Sequence, residues 1–433
     1  MAELVWRGKG VRRAAPRRGW PLRTDEVHGG DAAAWQNRLV HGATERVLPG
    51  FLAELKGQVA LVYVDPPFDT GGAFDYLAAI PGARNGSPRI AVPAYEDARG
   101  LDVWLAWFYE TATLLRELLA DGGSLYVHLD AHAAHYAKVL LDEVFGAGSF
   151  QREIVWRIGW VSGFKSRVRG WIRNHDTLLF YAKGGRPATF HKEYIPYPSG
   201  YMRRDGAPPR GPGYPIEDVW NASALDRMDS IQIVSFSGEK VGYPTQKNES
   251  LVSRVVRASS NPGDLVLDGC VGSGTTAVVA EKLGRRWIVC DASPLAIHAT
   301  RKRLLGLREV RPFVVQSVGR AARSRGRLAA RAVMNGRVCT LELDSFALDA
   351  PRVPPDLRAT VTHWSQWLEG WCVDWKHENG PIRSGPGTWR DRRGLPLSAT
   401  YAYEQPGRYI ALVKAFDVLG GATTRALRVD VKG

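Results

Sequence analysis

Residues 264–276 read Asp264-Leu-Val-Leu-Asp268-Gly-Cys-Val-Gly272-Ser-Gly274-Thr-Thr276. A short apolar run that ends in a carboxylate reads as a buried strand. Gly272, Ser273 and Gly274 then let the backbone approach a ligand closely, and the helix that follows from Thr275 presents free N–H groups to an anion. The next strand, Trp287–Cys290, ends at Asp291, where a carboxylate is placed to accept hydrogen bonds from ribose hydroxyls. A bare Gly-x-Gly is often only a tight structural turn. With an acid before it and another after it, the stretch reads as a nucleoside-cofactor site built from Asp268, Gly272, Ser273, Gly274, Thr275 and Asp291.

A second strand-like run, residues 61–68, is Leu-Val-Tyr-Val-Asp65-Pro66-Pro67-Phe68. Pro66 and Pro67 have no N–H and hold φ near −65°, so the carbonyls at this corner point in set directions. Asp65 and a neighbouring carbonyl can both accept from one amino group, and Phe68 can stack on the ring that bears it. Alone, the corner also reads as a rigid turn with a capping Asp. Beside the glycine loop, it reads as a site for a flat nitrogenous base, with Asp65, Pro66, Pro67 and Phe68 as the catalytic candidates.

Outward from these corners the pattern alternates. Helices are expected over 44–55, about 102–120, about 131–144 and 248–260. Strands are expected at Asn37–His41, 59–64, Ser124–Leu129, Ile154–Trp156 and Thr177–Ala182. Such alternation predicts an α/β fold with a mostly parallel sheet and ligands at the strand C-termini. Residues 1–34 read as an irregular basic arm, and 69–100, rich in Gly, Ala and Pro, as a long surface loop. At 433 residues with net charge +14, the chain has room for more than one domain, and its charge favours a polyanionic partner. The four cysteines show no paired spacing, so neither a metal site nor a disulfide framework is expected. No apolar run reaches membrane-span length. These features together predict a cytoplasmic protein without a membrane segment.

Basic residues cluster among aromatics between the two corners. Lys165, Arg167, Arg169 and Arg173 interleave with Trp160, Phe164 and Trp171, and Arg203 and Arg204 follow in a Gly- and Pro-rich stretch. That mixture suits a phosphate backbone and unstacked bases; a solvated loop pinned by its aromatics is the plainer reading. After about residue 310 the texture changes. An arginine-rich run at 319–331 reads as a linker helix or a solvated connector. Short alternating strands from 337 onward predict a small β-sandwich. Trp364, Trp367, Trp371, Trp375 and Trp389 read as packing rather than as a binding face.

In this order, the motifs resemble the β arrangement of S-adenosylmethionine-dependent amino-DNA methyltransferases, including modification enzymes of restriction systems. The resemblance spans about 35–305 and is carried by Asn37-Arg-Leu-Val-His-Gly42, Asp65-Pro-Pro-Phe68, Asp121-Gly-Gly-Ser-Leu-Tyr-Val-His-Leu-Asp130, His175-Asp-Thr-Leu-Leu-Phe-Tyr181, Tyr243-Pro-Thr-Gln-Lys247 and the glycine loop. It implies a Rossmann-like sheet of the methyltransferase type, S-adenosylmethionine as cofactor and double-stranded DNA as partner. A nuclease partner and homodimerisation are further implications. Asp65 and the Pro66 carbonyl would hold the exocyclic amino group of a flipped base, and Phe68 would stack on it. Thr245, Gln246 and Lys247 would lie near the cofactor carboxylate. Asp at the first motif position leans toward adenine N6; cytosine N4, RNA adenine and a weakly active DNA-binding relative are the alternatives.

The expected organisation is a basic arm (1–34), a methyltransferase domain (35–310) with a target-recognition insertion (157–240), a basic linker (311–335) and a β-sandwich (336–433). That sandwich weakly resembles a PKD or immunoglobulin-like module. Three positions depart from the family pattern: Ala43 where Asp is usual, Cys270 where Phe is usual, and Asn248 where Pro is usual. Loss of the Ala43 acceptor or of the Cys270 apolar face is each worth on the order of 1–3 kcal/mol of cofactor binding.

Overall fold

The computed structural model describes residues 3–9, 19–29, 35–81, 89–158, 167, 169–184, 187–220, 239–319, 326–349, 353, 355–385 and 387–432. The first part of the chain runs β1 (Leu22–His28), β2 (Asn37–His41), α1 (Thr44–Leu55), β3 (Val59–Val64), β4 (Gly72–Ala79), β5 (Arg89–Asp97), α2 (Leu101–Leu118), β6 (Leu119–Leu129) and α3 (Ala134–Phe145). There follow β7 (Phe150–Arg157), β8 (His175–Ala182), the short β9 (Tyr194–Ile195), β10 (Tyr214–Pro215) and β11 (Val219–Trp220), and then α4 (Glu249–Ser259). The glycine-loop half is β12 (Leu265–Asp268), α5 (Thr275–Lys282), β13 (Arg286–Asp291), α6 (Pro294–Leu305) and β14 (Phe313–Val318).

One sheet of 11 strands organises this half, in the order β11-β7-β8-β6-β3-β12-β13-β2-β14-β1, closed by a short strand from the C-terminal region. The six strands from β6 to β14 run parallel, while β8 and β1 run antiparallel to their neighbours. The central strands are buried on both faces, which is why β3 (Val-Ala-Leu-Val-Tyr-Val) and β12 (Leu-Val-Leu-Asp) are nearly unbroken apolar runs. One face is covered by α1, α2 and α3. There α2 buries Trp104, Leu105, Phe108, Ala112 and Leu115 at helical spacing. The other face is covered by α4, α5 and α6, through Leu251, Val255, Val278 and Leu304.

Three irregular readings of the sequence are corrected. Leu22–His28, placed in a loose arm, is a strand of the main sheet pairing with β14. Residues 69–100 hold a hairpin of β4 on β5 rather than a plain loop. The span read as a linker, 311–335, supplies β14 to the main sheet and Gly326–Asn335 to the C-terminal one. In each case the strand is made by pairing with another segment of the chain, which local composition does not announce.

The C-terminal region continues β15 (Gly326–Asn335), β16 (Val338–Leu348), a short helix α7 (Pro355–Ala359), β17 (Leu368–Asp374), β18 (Ile382–Ser384), β19 (Thr388–Trp389), β20 (Ser398–Ala402), β21 (Gly407–Asp417) and β22 (Ala422–Val431). Two antiparallel sheets, β15-β16-β20 and β19-β17-β21-β22, sandwich a core of Cys339, Leu341, Phe346, Trp371, Val413 and Val429. Trp371 is buried in that core, Trp375 stacks on Tyr401 and Trp389 on Phe416, so these tryptophans pack. The strand β18 leaves the sandwich and pairs in parallel with β1. Buried Glu26 of β1 meets Arg301 of α6 at 3.0 Å and Lys414 of β21 at 2.6 Å, which ties the two regions together. Among the described residues no helix is long and apolar enough to cross a membrane.

Candidate active site

The strands β3 and β12 are parallel neighbours, with Leu61 opposite Val266 and Val62 opposite Leu267. Their C-terminal ends therefore open at the same edge of the sheet, and β13 ends beside them at Asp291. The two corners line one cavity of about 380 Å³, within the range of small-molecule sites. Asp65, Pro66, Pro67 and Phe68 form part of its wall. Thr245, Gln246, Lys247, Asp268, Gly272, Ser273, Thr275 and Asp291 also line it, as do Tyr63, Thr44 and Tyr243. Gly274 stands outside the lining and serves the turn: its φ is +87°, and a Cβ there would lie 2.9 Å from the Thr300 Cα.

The glycine loop is held by its acids. Asp268 accepts from the Cys270 N–H at 2.8 Å and the Thr276 hydroxyl at 2.6 Å. Asp291 accepts from the Gly272 N–H at 2.9 Å and the Ser293 N–H at 2.8 Å. Burial raises the Asp268 carboxyl to about 7, against the pull of its two hydrogen bonds, and nearby Asp65 and Asp291 add to the rise. Burial likewise raises Asp291 to about 6, with its backbone donors opposing. A carboxylate has about four acceptor positions, so Asp291 keeps capacity for ribose hydroxyls after its two backbone bonds.

The Asp65 corner is set from below. Asp97, at the end of β5 and almost fully buried, accepts from the N–H groups of Phe68, Asp69 and Thr70 at 3.3, 2.7 and 3.2 Å, and from the Thr70 hydroxyl at 2.8 Å. Trp104 of α2 donates to the Pro67 carbonyl at 2.6 Å. Asp69 takes a φ of +58° and accepts from the Arg99 and Gly100 N–H groups. Asp97 was not singled out from the sequence, and Trp104 reads there only as part of the apolar face of the helix at about 102–120. Asp97 fell in a span read as loop, and only the hairpin folds it back under residue 69.

Lys247 joins the two corners, its side chain at one and its backbone at the other. Its ammonium is 2.6 Å from Asp65 Oδ2 and 5.2 Å from the centre of the Phe68 ring, on the base side of the cavity rather than by the glycine loop. Its backbone is anchored there instead: the Thr275 hydroxyl donates to the Lys247 carbonyl at 3.0 Å. Asp65 Oδ1 is buried and has no hydrogen-bond partner among the described residues. Gln246 braces its own loop, donating to the Glu239 carbonyl and accepting from the Val241 N–H. Thr245 sits at φ +54° with its hydroxyl 3.0 Å from Tyr95.

A further residue missed by sequence reading, Arg303 of α6, reaches the glycine loop from behind. It donates to the Ser273 carbonyl and the Thr275 hydroxyl at 3.0 Å each and pairs with Glu249 at 2.8 Å. The departures from the family pattern also have local readings. Asn248 accepts from the Leu251 N–H at 3.0 Å and so caps α4. Cys270 lies 3.8 Å from the Thr44 hydroxyl, and burial pushes its thiol up, with Asp291 and Asp268 adding to this. Ala43 precedes α1 and offers that helix no side-chain cap.

Of the expected DNA contacts, Lys165 lies outside the described residues. Arg167, Arg169 and Arg204 are exposed. Arg203 pairs with Asp205 at 2.9 Å. Arg173 pairs with Asp176 and also reaches Asp130 at 3.4 Å, an internal commitment the sequence did not foretell.

Comparison with known proteins identifies the family. A family model for DNA methylases of the N6/N4 type matches residues 59–302. The type II methyltransferase M.EcaI of Enterobacter cloacae is 29% identical over 302 residues, covering 56% of this chain and 64% of that protein. M1.MboII of Moraxella bovis is 31% identical over 201 residues, covering 43% and 74%. The DNA adenine methyltransferase YhdJ of Escherichia coli is 26% identical over 284 residues, covering 61% and 82%. Among solved structures, M1.HpyAVI with bound S-adenosylmethionine covers 62% of this chain and 99% of its own at 17% identity and a TM-score of 0.40. The PKD1 domain of the Vibrio cholerae metalloprotease PrtV covers 24% and 95% at 9% identity and a TM-score of 0.16. Neither superposition is close enough to carry an argument. The family model spans more than half of the sequence and includes both corners of the cavity: the chain belongs to the N6/N4 DNA methylase family, whose methyl donor is S-adenosylmethionine.

Proposed function

We propose that this chain transfers a methyl group from S-adenosylmethionine to N6 of an adenine extruded from duplex DNA. The supporting observation is the shared cavity: an acid-proline-proline-aromatic corner and a glycine loop on adjacent parallel strands face each other across about 380 Å³. When bound, the cofactor supplies a methyl group already activated on a sulfonium. The protein supplies the rest. An adenine amino nitrogen is a poor nucleophile because its lone pair is delocalised into the ring. Acceptors on its two hydrogens favour a pyramidal nitrogen and stabilise the positive charge that develops as the bond forms.

In this reading Asp65 and the Pro66 carbonyl are those acceptors, and the unpartnered Asp65 Oδ1 has the capacity required. Phe68 stacks on the base. Asp291 takes the ribose hydroxyls. Asp268, Gly272, Ser273 and Thr275 wall the cofactor's methionine end, and Thr245, Gln246 and Lys247 lie at its carboxylate. Lys247 must then release Asp65 as substrates enter. Lys165, Arg167, Arg169, Arg173, Arg203 and Arg204 are assigned to the DNA backbone, which rewards each neutralised phosphate by counterion release. Extrusion of the base costs a few kcal/mol.

Adenine is favoured over cytosine by the Asp at the head of the corner, and relatives named as type II and adenine methyltransferases support a modification role. A partner nuclease and a homodimer belong to the same reading, as does division of the chain near 310–335 into a catalytic part and a sandwich. The test is incubation of the purified protein with S-adenosylmethionine and plasmid DNA free of base methylation, followed by mass spectrometry of the nucleosides. N6-methyladenine is the expected product. N4-methylcytosine would move the assignment to the other base, and no methylated base would leave a DNA-binding relative without turnover.

A further inference from the structure

Directly behind the stacking ring lies a buried polar chain to which the chemistry above assigns no role. His128, near the end of β6, is fully buried, and its ring lies 6.3 Å from Phe68 at an interplanar angle of 19°. Its Nδ1 is 2.9 Å from the Tyr63 hydroxyl and its Nε2 is 3.1 Å from Asp176 Oδ2. Trp156 meets the same ring edge-on at 5.4 Å. The imidazole is therefore held by two hydrogen bonds and by ring contacts with Phe68, Trp156 and Tyr63, and its rotation would move what it touches. Tyr63, in β3, lines the cavity together with Asp65, which follows directly after the end of that strand.

The chain continues to the surface. The other oxygen of Asp176 receives Arg173, whose side chain is 42% exposed. Arg173 also approaches Asp130, which in turn holds His132 at 2.9 Å. Arg173 closes the basic stretch that contains exposed Arg167 and Arg169, and Trp171 beside it is wholly exposed. A single carboxylate is thus divided between a surface cation and the imidazole under the stacking ring. If the guanidinium moves to another anion, Asp176 is left with His128 as its main partner in a poorly solvated place, where a lone charge is costly.

We propose that Arg173, Asp176 and His128 form a positioning relay that couples docking of the basic stretch on a nucleic-acid backbone to the setting of Phe68 and Tyr63 at the base subsite. None of the three touches the base; they act through Phe68 and Tyr63. The relay rests on the methyltransferase reading above and adds to it a reason why a base is gripped only when the backbone is engaged. The coupling is reciprocal: a base held on Phe68 favours the docked position of Arg173.

The experiment compares wild type with Arg173→Gln, Asp176→Asn and the double variant on unmethylated plasmid DNA, with melting temperatures as the folding control. A relay predicts that each single variant lowers kcat by about tenfold or more, as misplacement of a reacting group does. It also predicts that the double variant is no worse than either single one. Arg173→Gln lies at the surface and keeps the core intact, so it carries the test if Asp176→Asn folds poorly. If Arg173 is only a phosphate contact, its variant instead weakens DNA binding, lowers the salt slope by about one and leaves kcat unchanged, and the relay is overturned.

A second measurement does not depend on turnover. In 15N-histidine-labelled protein, the His128 resonance, assigned by its loss in His128→Gln, shifts on addition of plasmid duplex in wild type and stays in place in Arg173→Gln. An unmoved wild-type resonance overturns the relay even in an active enzyme. Absent methyl transfer with a shifting resonance overturns the catalytic reading and leaves the coupling standing.

Discussion

Replacing Asp65 by alanine tests the centre of the proposed chemistry, and the structure sets the size of the effect. Asp65 would give a charged acceptor to an amino group that becomes cationic as the methyl bond forms. Loss of one preorganised group of this kind costs about 2.7–4 kcal/mol, or roughly 10²–10³ in kcat. The Pro66 carbonyl remains, so the residual rate stays above background. The same change strands the Lys247 ammonium, whose side chain is 10% exposed and whose ion-pair partner is Asp65 at 2.6 Å. Breaking one side of such a pair destabilises a protein by about 3–5 kcal/mol when it is fully buried. Here the cavity can admit water, so the cost should fall below that.

Two losses, one of catalysis and one of folding, would therefore be confounded in the single variant. Asp65→Ala combined with Lys247→Met separates them, because removing both partners is close to neutral for stability. The assay is single-turnover transfer of labelled methyl groups to plasmid DNA, beside DNA-binding anisotropy and thermal melting. The expected result is a slow single variant with a lowered melting temperature, and a double variant that regains stability and stays slow. DNA affinity should be kept in both. A single variant within tenfold of the wild-type rate, or turnover that returns with stability in the double variant, would refute the role of Asp65.

Asp97→Ala should leave the Phe68, Asp69 and Thr70 N–H groups without their acceptor, lowering kcat/KM by at least about tenfold with roughly 2 kcal/mol of stability lost; steady-state kinetics and denaturant melts check both. Gly274→Ala places a methyl 2.7 Å from the Thr300 hydroxyl at a φ of +87°, so destabilisation of about 2 kcal/mol or more is expected, read by denaturant unfolding, with weakened cofactor binding read by calorimetry. Glu369, which links β17 to His298 and Lys302 at 2.8 and 3.0 Å, has its carboxyl raised by burial but pulled down more strongly by those partners, to about 2 from an ordinary 4.5. A lowered acid stabilises above its unfolded pKa and loses that contribution as pH falls through the folded one. The wild type should therefore lose roughly 3 kcal/mol between about pH 5 and 2 from this group, and Glu369→Gln should flatten that part of the melting-temperature curve.

Much of the site was legible because it is made of local devices. The prolines of 66–67, the glycines of 272–274 and the acids at the ends of β3, β12 and β13 are short-range signals, each tied to a backbone conformation or a strand end. The positions that hold these corners in place were not legible. Asp97, Trp104, Arg303 and the His128–Asp176 pair act across 28 to 48 residues of chain, and nothing in their own neighbourhoods distinguishes them from ordinary core or surface residues.

By itself the sequence determined the alternation of apolar strands and amphipathic helices, the order of the two corners and the identity of the groups they present, because periodicity, proline and glycine act over a few residues. Only the tertiary structure decided that β3 and β12 are parallel neighbours, that Lys247 rests on Asp65, that Leu22–His28, Phe313–Val318 and Gly326–Asn335 are strands rather than arm and linker, and that β18 binds the sandwich to the main sheet. These are pairings between distant segments, chosen by which buried faces and edge hydrogen bonds can be satisfied together, and no local pattern encodes that choice.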